Sequence, residues 1–140
     1  MARITPTHLR RGGILVEAAL ILPILLTVIF GLVEYGWMFL KAQQISLATR
    51  DGARAGSLSG NTGTNVTTAV NNRMSQAGIE GAQFTMTCTP APETLTRGQT
   101  FTVTITANYG VTGGLALVRL PFVPVPDHLA SSFTIAREGP

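Results

Sequence analysis

Few side chains in this 140-residue chain have the chemistry for acid–base, metal or nucleophilic work: two histidines, seven carboxylates and one cysteine. His8 lies in a basic stretch with Arg3, Arg10 and Arg11. Asp127 and His128 are adjacent, and neighbouring side chains point different ways on a strand or a helix, so they make a poor dyad. No serine stands in a nucleophile-elbow context, and no Gly-rich loop ends in the Lys-Ser or Lys-Thr that grips phosphate. The carboxylates are spread along the whole chain, which disfavours a metal cage. Cys88 has no second cysteine for an internal disulfide or a zinc site. It is expected to be a small buried hydrophobe in a strand, with a free thiol or an intermolecular bridge as the alternative. The expectation is a protein that is not an enzyme and needs no cofactor or metal. An enzyme using Asp127 and His128 is the distant rival.

Two carboxylates stand out by their setting. Glu17 and Glu34 are the only charged residues in residues 14–40, ILVEAALILPILLTVIFGLVEYGWMFL. About 20 mainly apolar helical residues cross a bilayer, so this run is long enough even when tilted. The uncharged stretch between the two glutamates covers roughly 24 Å at ~1.5 Å per residue, which allows each carboxylate to lie near one interface. Tyr35, Trp37 and Phe39 cluster at the far end as an aromatic belt does. Pro23 removes one helix hydrogen bond inside the span. The run is long for the apolar region of a cleaved secretory signal, so an uncleaved anchor is expected. Glu34 is expected to reach water beside Tyr35. Glu17 is costlier to explain. A carboxylate in a membrane helix costs ~2.5–3.5 kcal/mol near the centre and less near an interface, so it calls for a partner, a proton, or a route to the headgroups.

The bulk numbers agree with one anchored domain. Hydrophobic residues make up 45% and charged residues 12%, about half the ~25% charged share of a soluble domain. The net charge is +3, but no basic stripe interleaved with aromatics follows the front arginines, so nucleic acid is not an expected partner. Basic residues flank the span on both sides, and charge alone leaves its orientation open.

Beyond the span the helix is expected to continue through residues 41–56. Ala48, Gly52 and Gly56 recur every four residues on one helix face, where small side chains admit another helix closely. That helix would come either from this chain's own domain or from a second subunit. SLSGNTG at residues 57–63 reads as a loop. Val66, Ala69, Val70, Met74 and Ala77 then follow helical spacing over residues 64–77, with Gly78 as a C-terminal cap. Alternation with threonine marks strands at 83–89 and 100–108, and a third is expected at 132–137. Residues 111–126, VTGGLALVRLPFVPVP, are apolar and broken by glycine and proline. They read either as a loop over the sheet or as a patch facing the membrane or another subunit. The fold class is α+β: a long N-terminal transmembrane helix, a short second helix and a small antiparallel β-sheet.

The residues at the front resemble a known family. Arg10-Arg11-Gly12-Gly13-Ile14-Leu15-Val16-Glu17 is similar to the processing region of type IV prepilins. RRGGILVEAALILPILL, GLVEYG, ATRDGARAG and the final TIAREGP resemble the TadE-like proteins, the TadE and TadF pseudopilins of the Tad (Flp) pilus system. The resemblance implies a pilin-like fold with three parts: a basic leader at 1–12, a transmembrane and extended helix at 13–57, and an extracytoplasmic α+β domain at 58–140. It also implies a prepilin peptidase that cuts between Gly12 and Gly13, making Glu17 the fifth residue of the mature chain; a cut after Gly13 is the nearby alternative. Ala18 stands where the family usually has an aromatic. Glu17 would then pair with the new α-amino group of Gly13, its own or a neighbour's. The implied partners are that peptidase, a second pseudopilin, the major pilin, the pilus assembly platform and the membrane. The implied role is a minor pilin in pilus assembly, and through it in adhesion or secretion, at the bacterial cytoplasmic membrane with a cytoplasmic N-terminus. The rival is an unprocessed, signal-anchored envelope-binding module.

Overall fold

The computed structural model describes residues 9–118, 121 and 123–138. Helix α1, Leu9–Ser57, has 49 residues and is about 70 Å long at ~1.5 Å per residue. It runs through Gly12 and Gly13 without a break and keeps Pro23 inside. One turn after the proline, Thr27 donates its hydroxyl to the Pro23 carbonyl at 2.8 Å. From Gly12 to Ser57 the helix is long and apolar enough to cross a membrane, and none of its most apolar window is buried by the rest of the chain. A core helix of comparable composition would be covered, so this is a candidate single membrane span.

The second half of α1 is different. From Glu34 onward one stripe is buried, through Lys41, Ile45, Ala48, Thr49, Gly52, Ala53 and Gly56. These steps of three, four and seven residues keep to one face of the helix. Helix α2, Gly63–Gln76, packs on that stripe with Val66, Val70 and Met74. Its start is set locally: the Asn65 side chain accepts the Thr62 backbone N–H at 2.9 Å. Its end is a glycine stop. Gly78 has φ +67°, and the Ile79 N–H returns to the Met74 carbonyl at 2.9 Å, burying Ile79 in the core. The Ala77 carbonyl, left over at this end, accepts the Lys41 ammonium at 2.7 Å. Lys41 also stacks over the Trp37 ring at 4.8 Å.

Three antiparallel strands complete the fold in the order β1-β2-β3: Phe84–Thr89, Thr100–Asn108 and His128–Ala136. The register places Cys88 opposite Val103 and Val103 opposite Phe133. One face of the sheet therefore carries Phe84, Met86, Cys88, Phe101, Val103, Ile105, Leu129, Phe133 and Ile135 against the helices. The other face is hydroxyl-rich, with Thr102 and Thr134 bonded at 2.7 Å. The third strand begins four residues before the 132–137 read from alternation and stops one residue short. Its start is hidden because Ala130, Ser131 and Ser132 blur the apolar alternation. Just past its end Arg137 still bonds Gln99 and Gly98 through its backbone, while its guanidinium donates to the Asn61 and Pro92 carbonyls.

Glu93, on the turn between β1 and β2, closes the far end of α2. Its carboxylate accepts the Gly63 N–H at 2.9 Å. Its own backbone N–H and the Gly63 N–H hold its carboxyl below the ordinary 4.5, against an opposing effect of burial and with a lesser contribution from the charge of Arg137. A carboxyl with a depressed folded pKa adds stability above its unfolded value and loses it as pH falls through the folded one. The thermal midpoint of the native chain is thus expected to fall more steeply than that of Glu93→Gln between about pH 5 and pH 3. Parallel curves would remove this carboxylate from the acid response.

Candidate functional site

The most constrained polar group in the fold is Glu34. Its side chain is fully buried at 0% exposure. The Tyr109 hydroxyl donates to Oε1 at 2.6 Å, and the Val118 N–H donates to Oε2 at 2.6 Å. The Tyr109 hydroxyl also lies 3.3 Å from the Glu34 backbone carbonyl. Tyr109 is itself buried, and burial, then the hydrogen bond to Glu34 and its charge, push the phenol well above its ordinary 10. Tyr109 therefore stays a donor at any physiological pH. Two donors satisfy a carboxylate that the apolar surroundings would otherwise penalise.

The donors come from the strap that joins β2 to β3, residues 109–127. Its ends extend the ladder, with Tyr109 N–H to the Asp127 carbonyl at 2.7 Å and Gly110 N–H to the Pro126 carbonyl at 3.1 Å. It then folds back, with Leu115 N–H on the Asn108 carbonyl at 3.0 Å and Ala116 N–H on the Tyr109 carbonyl at 3.2 Å. Gly114 makes this possible, because a Cβ there would collide with the Tyr109 carbonyl. Further described residues of the strap bond to α1. The Trp37 indole donates to the Leu115 carbonyl at 2.8 Å and the Tyr35 hydroxyl to the Pro124 carbonyl at 2.8 Å. A Cβ on Gly31 would stand 3.8 Å from Val123 Cγ2. The bonds of this segment run to the helix at residues 34–37 and to the end of β2.

Glu34 thus departs from the expectation of a glutamate reaching water beside Tyr35. The strap covers it, while Tyr35 stays exposed and binds the strap further along. A signal existed in the sequence: Glu34 lies seven residues before Lys41 and eleven before Ile45, on the face that continues to Ala48, Gly52 and Gly56. The partners, Tyr109 and Val118, carried no such mark.

The other singled-out residues fall as follows. Glu17 is exposed on the first half of α1, one helical turn beyond Gly13; Gly12 and Gly13 are both exposed. Ala48, Gly52 and Gly56 are buried against this chain's own elements. A Cβ on Gly52 would meet Val70, and one on Gly56 would stand 2.7 Å from Val66 and 2.9 Å from Phe101. Arg50 and Asp51, consecutive on α1, face different partners. Asp51 pairs with Arg73 of α2 at 3.4 Å, and Arg50 lies 5.9 Å from the Phe133 ring centre. Both members of the ion pair are solvent-exposed, so it contributes at most about 1 kcal/mol. Asp127 gives its carbonyl to Tyr109, while His128 Nδ1 meets Asn108 Oδ1 at 3.1 Å. Cys88 is half-buried and free, its thiol pushed up by burial and by Glu93. Among the described residues no group of three or more His, Cys, Asp or Glu could hold a metal ion. His8, and the closing Gly139 and Pro140, lie outside the described residues.

This architecture puts its defining features in α1: an apolar, uncovered first half with a carboxylate near each end, and a small-residue second half that carries the domain. Compared with protein families, residues 12–54 match the TadE-like proteins. The chain carries a TadE-like segment. The TadE-like segment holds Glu17, Glu34 and the helix face of Ala48 and Gly52, whereas the strap that covers Glu34 lies outside it. No match to the chain is found among curated proteins or among solved structures.

Proposed function

We propose that this protein is a minor pilin or pseudopilin of a Tad pilus. It acts in pilus assembly without catalysing a reaction, and through assembly it serves adhesion or secretion. The observation that carries the reading is the TadE-like match over residues 12–54, which begins at the expected processing glycine and includes Glu17. The continuous helix through this segment supports it, since a pilin subunit needs its span and its domain joined rigidly. In this reading residues 1–12 face the cytoplasm, α1 crosses the cytoplasmic membrane, and the α+β domain lies outside. A prepilin peptidase cuts between Gly12 and Gly13. The new α-amino group then lies four residues from Glu17, on roughly the same helix face. An ammonium there offsets the cost of a carboxylate at the membrane boundary, within one subunit or between two, and in the second case sets the register of packed helices. The further partners are a second pseudopilin, the major pilin and the assembly platform.

The experiment is the intact mass and N-terminal sequence of the chain from membranes that contain or lack the peptidase. The expected result is a chain starting at Gly13, or at Ile14 for the nearby cut, only where the peptidase is present. A full-length chain in both membranes would make it an unprocessed envelope-binding module instead. Glu17→Gln is expected to be processed yet to assemble poorly; normal assembly would remove the pairing with the amine.

A further inference from the structure

The strap is bonded to α1 at the domain end of the apolar run. Wherever a span of about 20 residues is placed within residues 14–40, Gly31 lies inside it. Val123 of the strap packs beside Gly31, and Val118, Pro124 and Leu115 are pinned to Glu34, Tyr35 and Trp37 just above. We infer that the strap between β2 and β3 is a second membrane contact, inserted beside α1 into the acyl-chain boundary of the leaflet on the domain's side. This rests on reading residues 14–40 as the span.

The chemistry of the segment fits that position. Irregular backbone is tolerated at membrane depth only where its polar groups are satisfied by protein. Here α1 supplies the partners: Glu34 accepts the Val118 N–H, Trp37 donates to the Leu115 carbonyl, and Tyr35 donates to the Pro124 carbonyl. Pro121, Pro124 and Pro126 bring no N–H that would need one. Leu117, beside the pinned Val118, is 52% exposed. On α1, next in sequence to the Glu34 that holds Val118, Leu32 and Val33 are also apolar and uncovered, at 70% and 46% exposed. A leucine so placed is unfavourable in water and favourable against acyl chains. The same seating explains how the span tolerates Glu34: the strap shields the carboxylate from lipid while bonding it.

The test places one fluorophore on the full chain in phosphatidylcholine vesicles that carry nitroxide-labelled lipids. In a Cys88→Ala background the probe is attached at Leu117→Cys, at Leu25→Cys within the span, or at Thr87→Cys on the hydroxyl face of the sheet. Nitroxides near the headgroups are expected to quench the Leu117 probe at least two-fold more than the Thr87 probe, while deep nitroxides quench the Leu25 probe most. A quenched Leu25 probe with a Leu117 probe that behaves like Thr87 towards aqueous iodide would overturn the insertion and leave the span standing. A Leu117 probe shielded from both lipid and iodide would mean that another protein copy covers the strap, which also overturns it. A Leu25 probe untouched by lipid would bring down the span reading, and the insertion with it.

Discussion

Glu34→Ala is expected to lower the thermal midpoint of the folded domain in detergent by on the order of 10–20 °C, followed by near-UV circular dichroism. The substitution removes both acceptor oxygens, leaves the Val118 N–H without a partner, and leaves Tyr109 only the longer contact to the Glu34 backbone carbonyl. A buried donor left unpaired costs about 1–3 kcal/mol, and a vacated site adds to that. A total near ~3 kcal/mol corresponds to a shift of that size in a domain of roughly 100 residues. Glu34→Gln separates hydrogen bonding from charge. Its carbonyl can accept the Val118 N–H while its amide donates to the Tyr109 oxygen, and the phenol proton turns to the backbone carbonyl 3.3 Å away. The glutamine variant should therefore keep most of the stability, within about 1 kcal/mol of the native chain. If both variants melt alike and low, the negative charge holds the strap; if both melt like the native chain, the latch contributes nothing.

The second large effect is expected at Gly56. Leucine there would drive its Cβ to within 2.7 Å of Val66 Cγ2 and 2.9 Å of Phe101 Cζ, both fully or almost fully buried. Neither neighbour can give way: Val66 is β-branched on α2, and Phe101 is pinned in the central strand. Overpacking of this kind costs about 1–3 kcal/mol, and leucine adds three more carbons beyond the Cβ, so a loss near ~3 kcal/mol is expected. Gly36→Ala is the control, since nothing lies within 4 Å of a Cβ there. It gains helix propensity of about 1 kcal/mol and should not destabilise. Chemical unfolding of the two variants decides the matter. A Gly56→Leu chain as stable as the native one would mean that α1 and α2 do not meet at this glycine.

These two positions also separate what near neighbours along the chain specify from what distant ones decide. Period-two alternation with threonine marks the first two strands because each β residue has one fixed side, and one face of this sheet meets the helices while the other meets water. Glycine after a periodic run marks the end of α2, since only glycine takes φ +67° without strain. The apolar run, its two glutamates and the small-residue face after it are equally local. Each of these features involves residues within a turn or two of one another, so each is legible in one dimension. The family likeness of the front rests on the same local features.

Contacts made across the chain were not legible. Glu34 finds its donors 75 and 84 residues away, and nothing in the spacing of Tyr109 or Val118 names that carboxylate. The choice between own domain and second subunit at Gly52 and Gly56 was open for the same reason. A small-residue face states that something comes close, and only the folded chain shows Val66, Val70 and Phe101 doing so. The sequence by itself determined an apolar helix that can cross a membrane, its polar exceptions, and a strand-and-helix domain after it, because hydropathy and backbone preference act residue by residue. Only the tertiary structure decided that the second exception is buried under the strap. That burial requires two segments far apart in sequence to be held side by side, which the packing of α2 and the sheet on α1 achieves.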